Sequence, residues 1–385
     1  MGDALCLVVN PAAGRGRVAR MLPEVLGALS AGPVSVRLCE SASLSHAEEL
    51  AVDASGQGEA VVAVGGDGLV GRLAAAVAGA DGVLGIIPAG RGNDFARMLG
   101  IPARPAGAAA VLLKGQPQAV DLMAVRAADG PEQVVAGSIY LGVPSEGGEI
   151  ANNSRLTVGA IGYQLAGLRA LFAWKPATFV VDTTTGDTGM ADTGLSTGMA
   201  HTGLSTGVAD TGLSAGSGDR FPGFCVVIAN SAYLAAGTIA APSADVTDGL
   251  LDVITVRHGP KPSFVRVMLR AGHGTHVRLK QVGTRTAPWV TVTADRVMPV
   301  GADGETLRYA SPLQAGAPLR IRALPGALRV ITPAPPAPLR PAVHRSAAMT
   351  RHRSPETVRR LWPPRKDSAN SGRAESSAGV PAIRT

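Results

Sequence analysis

Three glycine-rich segments near the start of the chain have the residue types needed to hold phosphate, and a late Asp-Gly-Glu could supply a proton acceptor. The first is Asn10-Pro11-Ala12-Ala13-Gly14-Arg15-Gly16. The second is Gly65-Gly66-Asp67-Gly68, and the third Gly90-Arg91-Gly92-Asn93-Asp94. Glycine lets a backbone approach phosphate closely because it has no Cβ. A helix starting behind such a loop favours negative charge at its N-terminus. Asp67 would repel bare phosphate, so it reads better as a group that orients phosphate-bound Mg²⁺ or hydrogen-bonds to sugar. Arg91 can neutralise phosphate, and Asn93 or Asp94 can cap the next helix or contact a nucleotide. Each loop also has a plain structural reading as a strand-to-helix turn. Asp303-Gly304-Glu305, taken alone, reads as a hairpin turn with a solvent-facing acid.

Gly14-x-Gly16-x-x-Ala19, with Glu40 just past the second strand, imitates a dinucleotide fingerprint. Four residues separate the strand from Gly14, however, and an NAD reading leaves the other two loops unexplained. No GxxxxGK[ST] occurs, so the chain has no P-loop.

The elements that must position these loops alternate. Strands are expected at Ala4–Val9, Val34–Leu38, Ala60–Val64 and Leu84–Ile87. Helices are expected at Arg17–Leu29, His46–Ala54, Leu69–Ala78 and Phe95–Leu99. Such alternation makes a mostly parallel sheet covered by helices, with ligands bound beyond the carboxyl ends of the strands. The three loops fall at those ends. After Asp121 the texture changes. One helix is expected near Tyr163–Leu171, followed by strands at Phe224–Ala229, Leu250–Val256, Val277–Val282, Trp289–Ala294 and Leu319–Ala323. The expected division is an α/β nucleotide-binding domain over 1–125, a mainly β domain over 126–330 and a tail over 331–385. A low-complexity insertion at 183–220 contains three nine-residue repeats carrying Thr-Gly-Leu-Ser. The insertion reads as a flexible surface segment and the Pro-, Ser-, Ala- and Arg-rich tail as disordered.

The loops, with further matching segments, resemble the bacterial lipid kinases of the diacylglycerol kinase type, which share their catalytic domain with sphingosine kinases. The segments are Asn10-Pro11-x-x-Gly14, Gly65-Gly66-Asp67-Gly68 and Ile87 through Arg97. They continue with Leu99-Gly100-Ile101-Pro102, Val120-Asp121-Leu122, Asp248 through Val253 and Asp303-Gly304-Glu305. They stand in the family's order. The resemblance implies a phosphofructokinase/NAD-kinase-like α/β domain joined to a sandwich-like, mainly β domain, with the active site between them. It implies ATP held by Asn10, Gly14, Gly65, Gly66, Asp67, Gly68, Gly90, Arg91, Asn93 and Asp94. It further implies Glu305 as the general base and Asp121 in a Mg²⁺–water network. Mg²⁺ is expected at Asp67 and Asp121, with a structural Mg²⁺ at the Asp248 loop. The implied reaction is ATP-dependent phosphorylation of diacylglycerol to phosphatidic acid. A sphingoid base or other lipid alcohol is the alternative acceptor, and a catalytically decayed nucleotide-binding regulator the alternative class. Two departures stand out. Leu69 occupies a position where the family has Thr, and Arg91 one where it has a small hydroxyl residue.

Composition narrows the partners. The chain of 385 residues carries a formal charge of +7. The tail from Ile331 holds ten basic residues against three acidic, so 26 of each sign remain in residues 1–330. A neutral body excludes a strongly basic nucleic-acid-binding domain. The basic tail could contact anionic membrane. This composition is compatible with a homo-oligomer. Apolar residues are 46% of the chain and aromatics 3%, so the core must rely on Val, Leu, Ala and Ile. Cys6, Cys39 and Cys225 form no CxxC and read as buried free thiols, neither a disulfide framework nor a zinc site. No leader and no membrane-length apolar run is visible, which leads to the expectation of a cytosolic protein with peripheral membrane contact open.

Overall fold

The computed structural model describes residues 4–10, 13–128, 130–153, 159–183, 218–235, 237–307 and 311–334. The nonapeptide repeats and nearly all of the basic tail lie outside them. The chain begins β1 (Ala4–Val9), α1 (Ala13–Leu29), β2 (Ser35–Glu40), α2 (Leu44–Gly56), β3 (Ala60–Gly65), α3 (Asp67–Gly79), β4 (Val83–Pro88), α4 (Asp94–Met98) and α5 (Pro105–Lys114). There follow β5 (Gln116–Ala127), β6 (Gln133–Val135), β7 (Ser138–Gly142), α6 (Val143–Asn153), α7 (Gly159–Ala173), β8 (Ala177–Asp182) and β9 (Asp219–Ala229). Next come β10 (Tyr233–Leu234), β11 (Thr238–Ile239), β12 (Leu251–Arg257), α8 (Lys261–Ala271) and a 3₁₀ turn at His276–Arg278. The last elements are β13 (Val282–Ala287), β14 (Trp289–Ala294), β15 (Val300–Ala302), β16 (Glu305–Thr306) and β17 (Leu319–Thr332).

The first half makes a parallel sheet in the order β4-β3-β1-β2. Strands β1 and β3 are buried almost throughout, as strands covered on both faces must be. Val18, Val25 and Leu29 of α1, Ala47, Ala51 and Ala54 of α2, and Leu73 and Val77 of α3 close the first core over it. A second core is built by β7, β8, β9, β12 and β14, which pair antiparallel with their neighbours. The result is an α/β domain and a separate mainly β domain.

The two are joined by a ribbon. β17 pairs antiparallel with β5 from Leu319↔Ala127 to Thr332↔Gln116. Its first part, Leu319, Ile321 and Ala323, belongs to the second core. Its last part, Leu328, Val330 and Ile331, belongs to the first and pairs in parallel with β4. The final strand of the α/β domain therefore comes from the end of the β domain, and runs two residues beyond the expected boundary at 330.

Several elements differ from the sequence expectation. α3 starts at Asp67, so the second half of the second loop is already helix. α5, α6 and α8 are helices where none was expected. In α5 the run Ala108–Leu113 is apolar on every side and shows no period. Val277–Val282 is a 3₁₀ turn and linker, with β13 starting only at Val282. Here His276 is buried, its Nε2 3.0 Å from the Ala240 carbonyl, and burial holds its pKa below the usual range. Cys6 and Cys39, far apart in sequence, meet across β1 and β2 with Sγ atoms 2.7 Å apart. Both are free and buried, as is Cys225.

Candidate active site

The three loops converge, and each contact is specific. Asp67, in the first turn of α3, does not cap its own helix. Its carboxylate accepts from the backbone N–H groups of Asn93 at 2.7 Å, Asp94 at 2.6 Å and Phe95 at 3.4 Å. The second loop thereby caps α4, the helix that follows the third, and neither Asn93 nor Gly66 makes a side-chain cap of its own. Asn93 takes left-handed backbone, φ 52°. Its Oδ1 accepts from Gly90 N at 2.8 Å and its Nδ2 donates to Gly90 O at 3.1 Å, closing the third loop on itself. Gly66 and Gly90 pack backbone to backbone; a Cβ on Gly66 would lie 3.0 Å from Gly90 Cα. Arg17 of α1 donates to the Gly90 carbonyl at 3.0 Å and ties the helix of the first loop to the third. Asn10 directly follows β1, and Gly14 lies in the first turn of α1.

The second domain enters this cluster through the β15–β16 hairpin. Ala302 pairs with Glu305 across a two-residue turn, with Asp303 at φ 48° and Gly304 at φ 85°. Asp-Gly is the pair that such a turn favours. The hairpin lies along one face of α3. A Cβ on Gly68 would overlap Glu305 Oε1, and one on Gly71 would stand 3.1 Å from Asp303 Oδ2. Two glycines one turn apart thus admit the hairpin, and Glu305 is exposed at the glycine loop.

Asp303 is the residue that sequence reasoning passed over as a mere turn former. Its carboxylate accepts three backbone N–H groups, from Ala136 at 3.0 Å, Gly137 at 2.9 Å and Ser138 at 2.8 Å. These fix the hairpin to the start of β7. Burial pushes the Asp303 pKa up to about 6, the three N–H groups pull against it, and the charge of Asp67 adds to the rise. Arg17 and Gly71 were missed for the same reason: nothing local marks a residue whose partner is a distant loop.

Asp94 links the domains from the other side. Its Oδ1 accepts from Gly237 N at 2.7 Å, next to the β10–β11 hairpin, and Arg97 lies over the Tyr233 ring at 5.6 Å. Arg91 is exposed at the tip of the third loop. Leu69 is buried and packs against Gly65, where a Cβ would lie 2.7 Å from Leu69 Cδ2. Its side chain is directed into the core.

Asp121 is held by a different set of backbone groups from those on Asp67. It sits on β5 opposite the bulge in β17, with Oδ1 accepting from Gly326 N and Oδ2 from Gly249 N, both at 2.7 Å. Its charged neighbours are Asp245 and Asp248, and burial, the largest cause, raises its pKa. Asn230 donates to the Asp121 carbonyl at 2.7 Å. Asp248 accepts from Leu250 N at 2.9 Å within its own turn. Among the described residues no group of three or more His, Cys, Asp or Glu is arranged to hold a metal.

Glycine loops at strand ends are thus joined to an acid from a second domain, an arrangement in which phosphate and a proton acceptor can be brought together. Residues 4–125 match the diacylglycerol kinase catalytic domain, and residues 137–332 match the YegS C-terminal NAD kinase beta sandwich-like domain. The chain belongs to the diacylglycerol kinase/YegS-like lipid kinase family. A protein of Mycobacterium tuberculosis named diacylglycerol kinase is 29% identical over 85% of this chain and 94% of its own length. A Pseudomonas putida protein named "Probable lipid kinase YegS-like" is 30% identical over 71% and 77%. A crystal structure of a diacylglycerol kinase from Bacillus anthracis superposes with a TM-score of 0.58 at 18% identity, covering 86% of this chain and 97% of that one. At that identity the likeness is one of fold.

Proposed function

We propose that the chain transfers the γ-phosphoryl group of ATP to the hydroxyl of diacylglycerol, with Glu305 as general base. One observation carries the reading: Glu305, from the far end of the chain, lies at the first turn of α3 in space that Gly68 leaves open. A kinase must bring a proton acceptor to the place where phosphate is held, and stabilise the spreading charge of the transferring group. Glu305 would take the acceptor's proton directly or through one water. Gly65, Gly66, Gly68 and Gly90, with Asn10 and Gly14, are the proposed backbone cradle. Arg91 is the proposed phosphate counter-charge. Asn93 and Asp94 act through the third loop, the former by closing it and the latter by holding it to the second domain.

The carboxylate-only donor set suits Mg²⁺, which keeps much of its water and is bound through one or two carboxylates plus substrate phosphates. Asp67 is the residue proposed to hold the nucleotide-borne ion. Bound there, the ion would neutralise charge on the phosphates. Asp121 is proposed as a positioning residue at the domain junction, with Asp248 nearby as the carboxylate for a separate structural ion that would complete its shell with water and backbone oxygens.

Glu305→Gln should lower ATP-dependent phosphorylation of diacylglycerol at least about 100-fold, with ATP binding by calorimetry unchanged. Full activity in that variant would remove Glu305 as the base. Radiolabelled ATP offered with diacylglycerol, a sphingoid base and a polyprenol-type alcohol in parallel tests the acceptor. Transfer confined to either of the last two would replace diacylglycerol in this reading.

A further inference from the structure

Residues 1–330 are neutral overall, yet five of their cations converge well outside the glycine loops. Arg257, Arg266, Arg270, Arg278 and Lys280 line a depression of about 880 Å³ between the end of β12, α8 and the segment leading to β13. No carboxylate lines it. Asp219 ion-pairs with Arg257 at 2.8 Å. Among the described residues, no salt bridge involves Arg266, Arg270, Arg278 or Lys280.

The helix beside this cluster carries three kinds of stripe. Phe264 and Val267 are buried in the second core, and Ala271 is buried on the same side of the helix. Arg266 and Arg270, one turn apart, face the depression. Val265, Met268 and Leu269 remain in water, Leu269 at 72% exposure. A second apolar stripe adjoins the first. Lys261, at the start of α8, donates to the Phe172 carbonyl and stands 5.3 Å from the centre of the Phe172 ring. Phe172 is itself 61% exposed, and Leu165 and Leu168 precede it on the same face of α7.

Scattered exposed apolar residues need no explanation, but a two-helix belt of them beside uncompensated cations does. Cations draw a surface toward anionic headgroups, and long apolar side chains then enter the headgroup–acyl boundary. We infer that this face docks on an anionic phospholipid bilayer, with Arg266, Arg270 and Arg278 on headgroup phosphates and Met268 and Leu269 inserted beside them. A nucleic acid would use the same cations but would gain nothing from the aliphatic belt. Docking requires no turnover, so it stands or falls independently of the acceptor and of Glu305.

The test is sedimentation of the full chain with sucrose-loaded vesicles, either phosphatidylglycerol–phosphatidylcholine or phosphatidylcholine alone, at low and at 0.5 M salt (about three-ångström to five-ångström screening at the upper end). The variants are Arg266→Ala/Arg270→Ala/Arg278→Ala and Met268→Ser/Leu269→Ser, each checked for an unchanged thermal unfolding midpoint. All the substituted side chains lie at the surface, and both variants keep the basic tail. The charge variant should lose on the order of 100-fold in partition at low salt. The apolar variant should lose about tenfold, including at high salt. Wild-type binding to either variant's extent, equal sedimentation with pure phosphatidylcholine, or absence of wild-type binding would each overturn the inference. So would displacement from vesicles by a duplex oligonucleotide that Met268→Ser/Leu269→Ser binds as well as wild type.

Discussion

At the scale of residues, Gly68 separates structure from chemistry. A methyl there would meet only the far end of the flexible Glu305 side chain, which can move aside at little cost. Gly68→Ala should therefore shift the unfolding midpoint by no more than about 2 °C, yet lower kcat on the order of 100-fold, because a small misplacement of a reacting group is that costly. Wild-type turnover in this variant would separate Glu305 from catalysis. Asp303 makes a pH prediction. Its pKa is raised in the folded state, so its contribution to stability is fully present below the unfolded value near 3.8 and is lost as pH rises through about 6. Relative to Asp303→Asn, which stays neutral, the wild type should lose about 1–2 kcal/mol between pH 4 and pH 7, discounted for a half-buried group. Denaturant melts across that range test it; a pH-independent difference would contradict it.

The residue types of the proposed site are legible because phosphate chemistry would restrict them: glycines at strand ends, an Asp after two of them, an Asp-Gly turn before an acid. Their partners are not. Asp67 stands in what reads locally as a plain strand-to-helix turn, yet it caps α4, because the backbone N–H groups of Asn93, Asp94 and Phe95 are brought against it by the close packing of Gly66 on Gly90. Leu69 reads as a lost hydroxyl beside the phosphates, whereas its side chain is turned inward over Gly65.

At the scale of elements, the β5–β17 ribbon carries the relation between the domains. Its pairing breaks between Leu324 and Leu328, and Asp121 fills the break by accepting from Gly326 on one side and Gly249 on the other. Asp121→Asn keeps one acceptor and turns an N–H₂ toward the other backbone N–H. This should cost about 1–3 kcal/mol in unfolding free energy. If Asp121 acts only through position, KM for the lipid and kcat should change together while ATP affinity holds. The elements that escaped sequence reading share a cause. α8 hides its buried stripe of Phe264, Val267 and Ala271 among Arg266, Arg270 and an exposed apolar stripe, so the 3.6-residue period is masked. α5 is uniformly small and apolar, and its Pro105 at the first turn was the one local signal.

At the scale of the molecule, the proposed site lies where the two domains meet. The α/β domain brings the loops, and the β domain brings Glu305, Asp303 and the Gly237 N–H that holds Asp94. A nucleotide bound at this junction should stabilise the whole chain. Saturating ATP with Mg²⁺ at about 100 times Kd should add roughly 2.7 kcal/mol, read as a rise of several degrees in the unfolding midpoint, with NAD giving none. A larger shift with NAD would return the first loop to its dinucleotide reading. The charge of the molecule is likewise a matter of distribution, since a body with equal numbers of acids and bases still gathers five cations on one side of α8.

The sequence by itself determined the alternation of strands and helices, the positions of the three loops at strand ends and the Asp-Gly turn before Glu305, since these follow from local periodicity and from what glycine and aspartate permit. Tertiary structure alone decided which loop caps which helix, that Asp121 joins the ribbon, and that Glu305 reaches Gly68. Those contacts link residues up to 237 positions apart. They depend on how the ribbon returns the end of the chain to β4, and no local pattern encodes that distance.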